Sequence, residues 1–252
     1  MTPIAPRRFE SPLGSGIDRT MEVLAYGHWG RPVLAFPSEA GKAVDYANNG
    51  MVEAVQPLLD QGRIKLYCVD SIDDLSWSNR SLPIEERAVV HRAYTTWLEQ
   101  AVVPLVAEDC GGTLNLITTG CSMGAYHAVH FAFERADVAP VAIGLSGNYD
   151  VRTWRQWGEP GERAYAANPA AFVPQLDGDH LAWLRQQLNL VLVVGQGAWE
   201  THPTGSLPSA HQFAPMVADK GIRCELDLWG TDVSHDWEWW RREIAHHLPR
   251  FC

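Results

Sequence analysis

Gly120-Cys121-Ser122-Met123-Gly124 is the stretch best suited to chemistry. A serine with glycines two residues to either side can stand on a sharp turn between a strand and a helix, its hydroxyl clear of the backbone. The glycines let the two elements pass without Cβ clashes. An apolar run, Leu114 to Thr118, precedes the motif, and a helix-like segment, Ala125 to Glu134, follows it. That helix would aim its N-terminus at the serine, where its dipole and free N–H groups favour a developing negative charge. The spacing marks Ser122 as a nucleophile toward a carbonyl and the Met123 N–H as an oxyanion donor.

A serine needs a base within hydrogen-bond reach, and the base needs a group to hold its tautomer. Ten histidines are available. His235 is the best placed, in a loop after the last apolar strand and before the last helix. His211, His246 and His247 fall in helix-like segments, and His127 and His130 lie on the helix after Ser122, aimed away from the turn. The acid should follow the penultimate strand, Leu188 to Val194. There the chain reads Gly195-Gln196-Gly197-Ala198-Trp199-Glu200. Three residues past Gly195 is Ala198, which cannot serve; three past Gly197 is Glu200, which can. Asp232 and Asp150 are the competing carboxylates. A second oxyanion donor is expected from Pro37-Ser38-Glu39; Pro37 has no N–H, which leaves Ser38, the preferred choice, or Glu39. Trp77, Asn79 and Trp199 are candidates to line the substrate pocket.

The elements that must position these residues follow from periodicity and punctuation. Residues 1–15 read as an irregular lead-in. Thr20 to Tyr26 and Pro32 to Phe36, around Gly27-His28-Trp29-Gly30, read as a hairpin. Met51 to Gln61 reads as a helix weakened by Pro57, Ile64 to Val69 as a buried strand, and 83–109 as a long helix broken at Pro104. Val138 to Leu145, Leu188 to Val194 and Arg223 to Leu228 read as strands, with helices over 208–219 and 236–248. Residues 149–187 carry no strand signal and read as a helical insertion that could cap a site. The alternation predicts an α/β fold: one domain spanning 1–252, with a mostly parallel sheet and helices on both faces.

Composition excludes several classes. The 252 residues can bury a full core. A net charge of -10 argues against a nucleic-acid groove or an anionic membrane surface. Five scattered cysteines without a C-x-x-C fit a reducing compartment better than a disulfide framework. The N-terminal stretch has no apolar core for a signal peptide, so the cytoplasm is the expected location. Neither a metal-ligand pattern nor a phosphate-binding glycine loop is present, so no cofactor is expected.

With these residues in view, the chain resembles the esterase branch of the α/β-hydrolases that holds the S-formylglutathione hydrolase (esterase D) type enzymes and the secreted mycolyltransferases. The resemblance covers most of the chain. It rests on the Ser122 motif, on Phe36-Pro37-Ser38, on Cys68-Val69-Asp70-Ser71 leading to Ser76-Trp77-Ser78-Asn79, and on Ser234-His235-Asp236-Trp237. It implies an acylated Ser122, His235 as base, Met123 as a hole donor, a small-molecule ester substrate and no cofactor. A homodimer is common among such enzymes. Relatives often carry an aspartate three residues past the strand-end glycine, where this chain has Ala198. Acyl transfer by the same triad and a non-catalytic binding module are the two alternatives.

Overall fold

The computed structural model describes residues 5–112 and 114–252. Eight strands form one sheet: β1 (Arg7–Gly14), β2 (Ile17–Tyr26), β3 (Arg31–Phe36), β4 (Ile64–Val69), β5 (Ile117–Cys121), β6 (Val141–Leu145), β7 (Asn189–Val194) and β8 (Arg223–Leu228). Their order is β1-β2-β4-β3-β5-β6-β7-β8. The β1–β2 and β2–β4 pairs are antiparallel and the rest are parallel. Helices join the parallel strands, as the alternation from Ile64 onward requires.

Side chains on successive residues of a strand point to opposite faces, and the core divides accordingly. Leu24, Val33, Ala35, Leu66, Ile143 and Val193 face a layer that includes Met51, Val55, Trp240 and Ile244. Val23, Leu34, Phe36, Tyr67 and Val69 face Tyr94, Trp97, Val106 and Phe131.

The N-terminal reading needs correction. Arg7–Gly14 is a strand, β1, within the stretch read as a lead-in, and β2 makes its hairpin with β1. β2 and β3 are not a hairpin, because β4 lies between them. The Gly27–Gly30 connection reverses the chain across the start of β4 instead of pairing the two strands it joins. Gly30 has φ of 108°, and a Cβ there would lie 2.2 Å from the Arg63 carbonyl carbon. Two short apolar runs around glycines give the same local signal for a hairpin and for this crossover.

β5 begins three residues later than its apolar run. Leu114 to Leu116 precede it, and Thr118, Thr119 and Gly120 pair with β3. The threonines are buried because their hydroxyls are satisfied: Thr118 donates to the Ala128 carbonyl and Thr119 to that of Ile143, each at 2.9 Å. The stretch 51–61 is two short helices, Met51–Ala54 and Gln56–Asp60, with Pro57 in the first turn of the second. The helix from Ile84 passes through a π-turn, Leu98–Val102, before resuming as Val103–Asp109. Pro104 cannot donate to a carbonyl one turn back, and the wider turn accommodates it. Residues 149–187 contain the helices Glu162–Ala166, Pro169–Phe172 and Gly178–Gln187 and no strand.

The last helix, Trp237–His247, buries Glu243 completely. Neither carboxylate oxygen of Glu243 has a hydrogen-bond partner among the described residues. Burial, reinforced by the Glu200 charge, pushes its pKa up to about 8. In the unfolded chain this carboxyl titrates near 4.5. Folding is therefore unpenalised below that pH and is progressively disfavoured as pH rises to about 8, by roughly 1.4 kcal/mol for each unit separating the two values. Glu243→Gln removes the titration. Its melting temperature should gain on wild type steadily between pH 5 and pH 8 and keep a constant lead above that; a gap independent of pH would contradict this account.

Candidate active site

Ser122 lies between β5 and the helix Met123–Glu134, with φ of 57° and ψ of -119°. A left-handed φ in a residue with a Cβ is strained, by about 1–3 kcal/mol, and must be held by its surroundings. Here the Ser122 N–H donates to the Leu145 carbonyl at 2.8 Å, and the Ser122 carbonyl caps the new helix at Ala125 N, 3.0 Å away. The flanking glycines are required by contact. A Cβ on Gly120 would sit 2.2 Å from the Gly124 carbonyl oxygen. A Cβ on Gly124 would sit 2.2 Å from the Pro37 oxygen and 2.4 Å from the Phe36 oxygen. The elbow thus presses against the end of β3, which brings the Ser38–Glu39 segment beside Ser122.

His235 Nε2 is 2.9 Å from Ser122 Oγ. His235 Nδ1 is 3.2 Å from Glu200 Oε2. A carboxylate can only accept, so Nδ1 carries the proton and Nε2 is left to accept from the serine. The ring also meets Trp240 edge-on, with centroids 5.0 Å apart. Glu200 is fully buried. Its other oxygen, Oε1, accepts from the Ser146 hydroxyl, whose oxygen accepts from Trp240 Nε1 at 2.9 Å.

Ser146 follows β6 with φ of 56°. Its N–H donates to the Val193 carbonyl at 2.8 Å, and its own carbonyl accepts from the Ser206 hydroxyl at 2.6 Å. These bonds hold the residue in a strained conformation with its hydroxyl at Glu200. Sequence reasoning missed this role.

The loop between β7 and Glu200 is pinned to the histidine loop. Gly197 N–H donates to the Val233 carbonyl at 2.8 Å, and His235 N–H donates to the Ala198 carbonyl at 3.0 Å. Ala198, where a carboxylate was first sought, contributes its backbone instead. With Ala198 tied and Glu200 buried, Trp199 takes a φ of 68° and remains 79% exposed. The competing acids are placed elsewhere. Asp232 is exposed, and Asp150 forms an ion pair with Arg152 and accepts from Asn168 at 2.8 Å.

The remaining predicted residues separate into two groups. Glu39, Trp77, Met123 and Trp199 line a cavity of about 460 Å³ over Ser122 and His235. Ser38 and Asn79 do not line it. The Ser38 carbonyl accepts from Gly41 N–H at 3.0 Å, closing a turn, and Asn79 Oδ1 accepts from the Ser81 hydroxyl at 2.6 Å. Asn79 shapes its own loop and is corrected as a pocket residue. Trp77 packs edge-on against Trp154, with centroids 5.5 Å apart, and Trp154 comes from the insertion, as do Thr153 and Arg155 on the cavity wall.

The loop that follows β3 is anchored by a buried carboxylate. Asp73, fully buried, accepts from Ala40 N–H at 3.0 Å and from His127 Nε2 at 2.8 Å. His127 is therefore a structural partner on the helix that begins at the elbow. Beside it, burial and then the neighbouring His130 hold the His91 pKa well below the ordinary value.

Among the described residues, one trio brings possible metal-ligand atoms together: Asp227, His246 and His247, within 4.8 Å. Arg250 donates to His247 Nδ1 at 2.8 Å, which leaves His247 Nε2 to donate to Asp227 at 2.9 Å. Trp229 Nε1 donates to the same carboxylate oxygen at 2.9 Å. Both His247 nitrogens and the Asp227 Oδ2 are thus engaged beside a guanidinium, which does not suit a cation.

No protein-family model matches the chain, and no curated protein matches it. Solved structures do. A ferulic acid esterase superposes with a TM-score of 0.72 at 14% identity, covering 98% of this chain and 98% of that one. S-formylglutathione hydrolase from Staphylococcus aureus gives 0.72 at 11% identity over 99% of each chain. The fluorophosphonate-binding serine hydrolase F from Staphylococcus aureus gives 0.70 at 13% identity, over 99% of this chain and 98% of that one. The chain has the α/β-hydrolase fold. No described helix is long and apolar enough to cross a membrane.

The elbow contact is directly testable. Gly124→Ala drives a methyl group into two backbone carbonyls that cannot move independently. It should cost about 3 kcal/mol or more in urea unfolding, at or beyond the usual range for overpacking. A loss below about 1 kcal/mol would show that the elbow and β3 can separate.

Proposed function

We propose that the chain is a serine esterase that hydrolyses carboxylic esters through an acyl-enzyme. The observation that carries the reading is the continuous relay from Ser122 Oγ to His235 Nε2, at 2.9 Å, and from His235 Nδ1 to Glu200, at 3.2 Å. A turn stabilised for structural reasons alone gives no cause for a strained serine to face a histidine whose other nitrogen meets a buried carboxylate.

In this mechanism His235 takes the Ser122 proton as Oγ attacks the ester carbonyl. The tetrahedral oxyanion accepts from the Met123 N–H, which starts a helix and has no partner within it, and from an N–H of the Ser38–Glu39 segment. Imidazolium, stabilised by Glu200, returns the proton to the departing alkoxide, and the alcohol leaves. Water then adds to the acyl-enzyme with His235 as base, and collapse releases the carboxylic acid and regenerates Ser122. The Ser146 hydroxyl holds Glu200 in place for the ring. The names of the neighbouring structures, a ferulic acid esterase and an S-formylglutathione hydrolase among them, support ester chemistry on this fold. A reducing compartment such as the cytoplasm suits five unpaired cysteines.

Two measurements test the reading together. A fluorophosphonate probe should label wild type at Ser122, by Oγ displacing fluoride at phosphorus, and should not label Ser122→Ala. Wild type should hydrolyse p-nitrophenyl esters, Ser122→Ala should not, and Glu200→Gln should fall by about 10⁴ in kcat. Ser146→Ala should lower kcat by about tenfold with little change in KM, because one hydrogen bond to the acid is lost and the acid remains. Absence of both labelling and hydrolysis in folded wild type would defeat the esterase reading. Near-full activity in Glu200→Gln would remove Glu200 from the triad.

A further inference from the structure

The cavity over Ser122 has an unusual charge for this protein. The chain carries a net charge of -10, yet the cavity wall holds two arginines, Arg80 and Arg155, and one carboxylate, Glu39. The Glu39 carboxylate accepts from the Ser78 hydroxyl. Neither cavity arginine forms an ion pair among the described residues, whereas the nearby Arg152 is neutralised by Asp150 at 2.7 Å.

The two arginines belong to segments that are clamped together. Trp157 Nε1 donates to the Arg80 carbonyl at 3.0 Å, and the Trp157 carbonyl accepts from Ile84 N–H at 2.8 Å. Arg155 lies two residues before Trp157 and takes a φ of 46°. That left-handed conformation is unfavourable for a residue with a Cβ, and the clamp that follows it holds it there. Two like charges thus line the same cavity without an ion-pair partner among the described residues.

We propose that the ester accepted by this site carries a carboxylate, which Arg80 and Arg155 bind while the ester carbonyl lies at Ser122. The inference rests on the serine-esterase reading and adds the substrate class. The charge balance selects a monoanion: two guanidinium groups less the Glu39 carboxylate leave one positive charge to be met. The planar fork of arginine matches a carboxylate in two parallel hydrogen bonds. Long-range attraction cannot bring an anion to a protein this acidic, so the selectivity has to be local.

The test compares matched pairs that differ in charge. On the acyl side, p-nitrophenyl hemiglutarate is set against p-nitrophenyl pentanoate. On the alcohol side, 4-acetoxybenzoate is set against its methyl ester. The ratio of kcat/KM, anionic over neutral, is measured for wild type, Arg80→Ala, Arg155→Ala and the double variant, so that intrinsic reactivity cancels. For at least one pair, the ratio should fall about three- to fivefold in each single variant and at least about tenfold in the double. The pair that responds tells whether the carboxylate sits on the acid or the alcohol. The lysine double variant, Arg80→Lys with Arg155→Lys, should recover part of the preference by charge alone. Raising salt from 0.05 to 0.5 M should erode the wild-type ratio and leave that of the alanine double variant unchanged. If both ratios stay within twofold of wild type in the double variant while neutral esters are still hydrolysed, the anion proposal is overturned and the esterase reading survives. If folded wild type turns over none of the four esters, the esterase reading fails and takes this proposal with it.

Discussion

Glu200 is a carboxylate with no access to solvent, and each of its oxygens has to be met inside the protein. One is met by His235 and the other by Ser146. Those two residues arrive from opposite sides: Ser146 from the end of β6, His235 from the loop beyond β8. Meeting both fixes the ends of three strands and the start of the last helix relative to one another. Trp240 closes the set, since its indole N–H satisfies Ser146 while its ring edge backs His235. The same contacts that solve a burial problem leave one imidazole nitrogen, Nε2, facing Ser122 as an acceptor.

A second constraint lies on the other side of Ser122. The Gly120 and Gly124 contacts leave no room for any side chain where the elbow meets β3. The serine is therefore placed by backbone packing, not by its own side chain. The loop after β3 is in turn held by Asp73, which links Ala40 to His127 on the elbow helix. Ser122 and the Ser38–Glu39 segment consequently share a floor held by buried hydrogen bonds, which is the preorganisation that the proposed acyl-enzyme chemistry requires.

How much of this could be read from sequence depended on whether the signal was local. Ser122, His235 and Glu200 announce themselves through spacing from strand ends and glycines, because those glycines mark close backbone approaches that only one residue type tolerates. Glu200 was reached by counting from Gly197, and the structure gives the reason: Ala198, the other position, has its carbonyl committed to His235 N–H. The error at β2 and β3 has the opposite cause. A glycine turn between apolar runs looks alike whether the two strands pair or are separated by β4, and only the position of β4 decides. β5 was misplaced because buried threonines with internally satisfied hydroxyls look polar in sequence. Ser146, Trp154, Arg80 and Arg155 have no local signature, since their surroundings come from far along the chain: Ser146 meets Glu200 and Trp240, Trp154 meets Trp77, and the Arg80 segment is tied to Trp157.

The rim differs from the floor in kind. Trp77 is buried against Trp154 and Tyr126, while Trp199 stands 79% exposed at the cavity edge. An exposed indole in a left-handed conformation is costly twice over, in hydration and in backbone strain, and it persists because its neighbours on both sides are held, Ala198 by the His235 N–H and Glu200 by His235 and Ser146. Rim side chains can therefore change with little effect on the relay below them, whereas the contacts at Gly124, Ser146 and Glu200 cannot. Reaction type is carried by the part of the molecule that tolerates least change, and substrate choice by the part that tolerates most. This division explains how structures at 11% and 14% identity superpose over nearly the whole chain while the groups around the cavity mouth are free to differ.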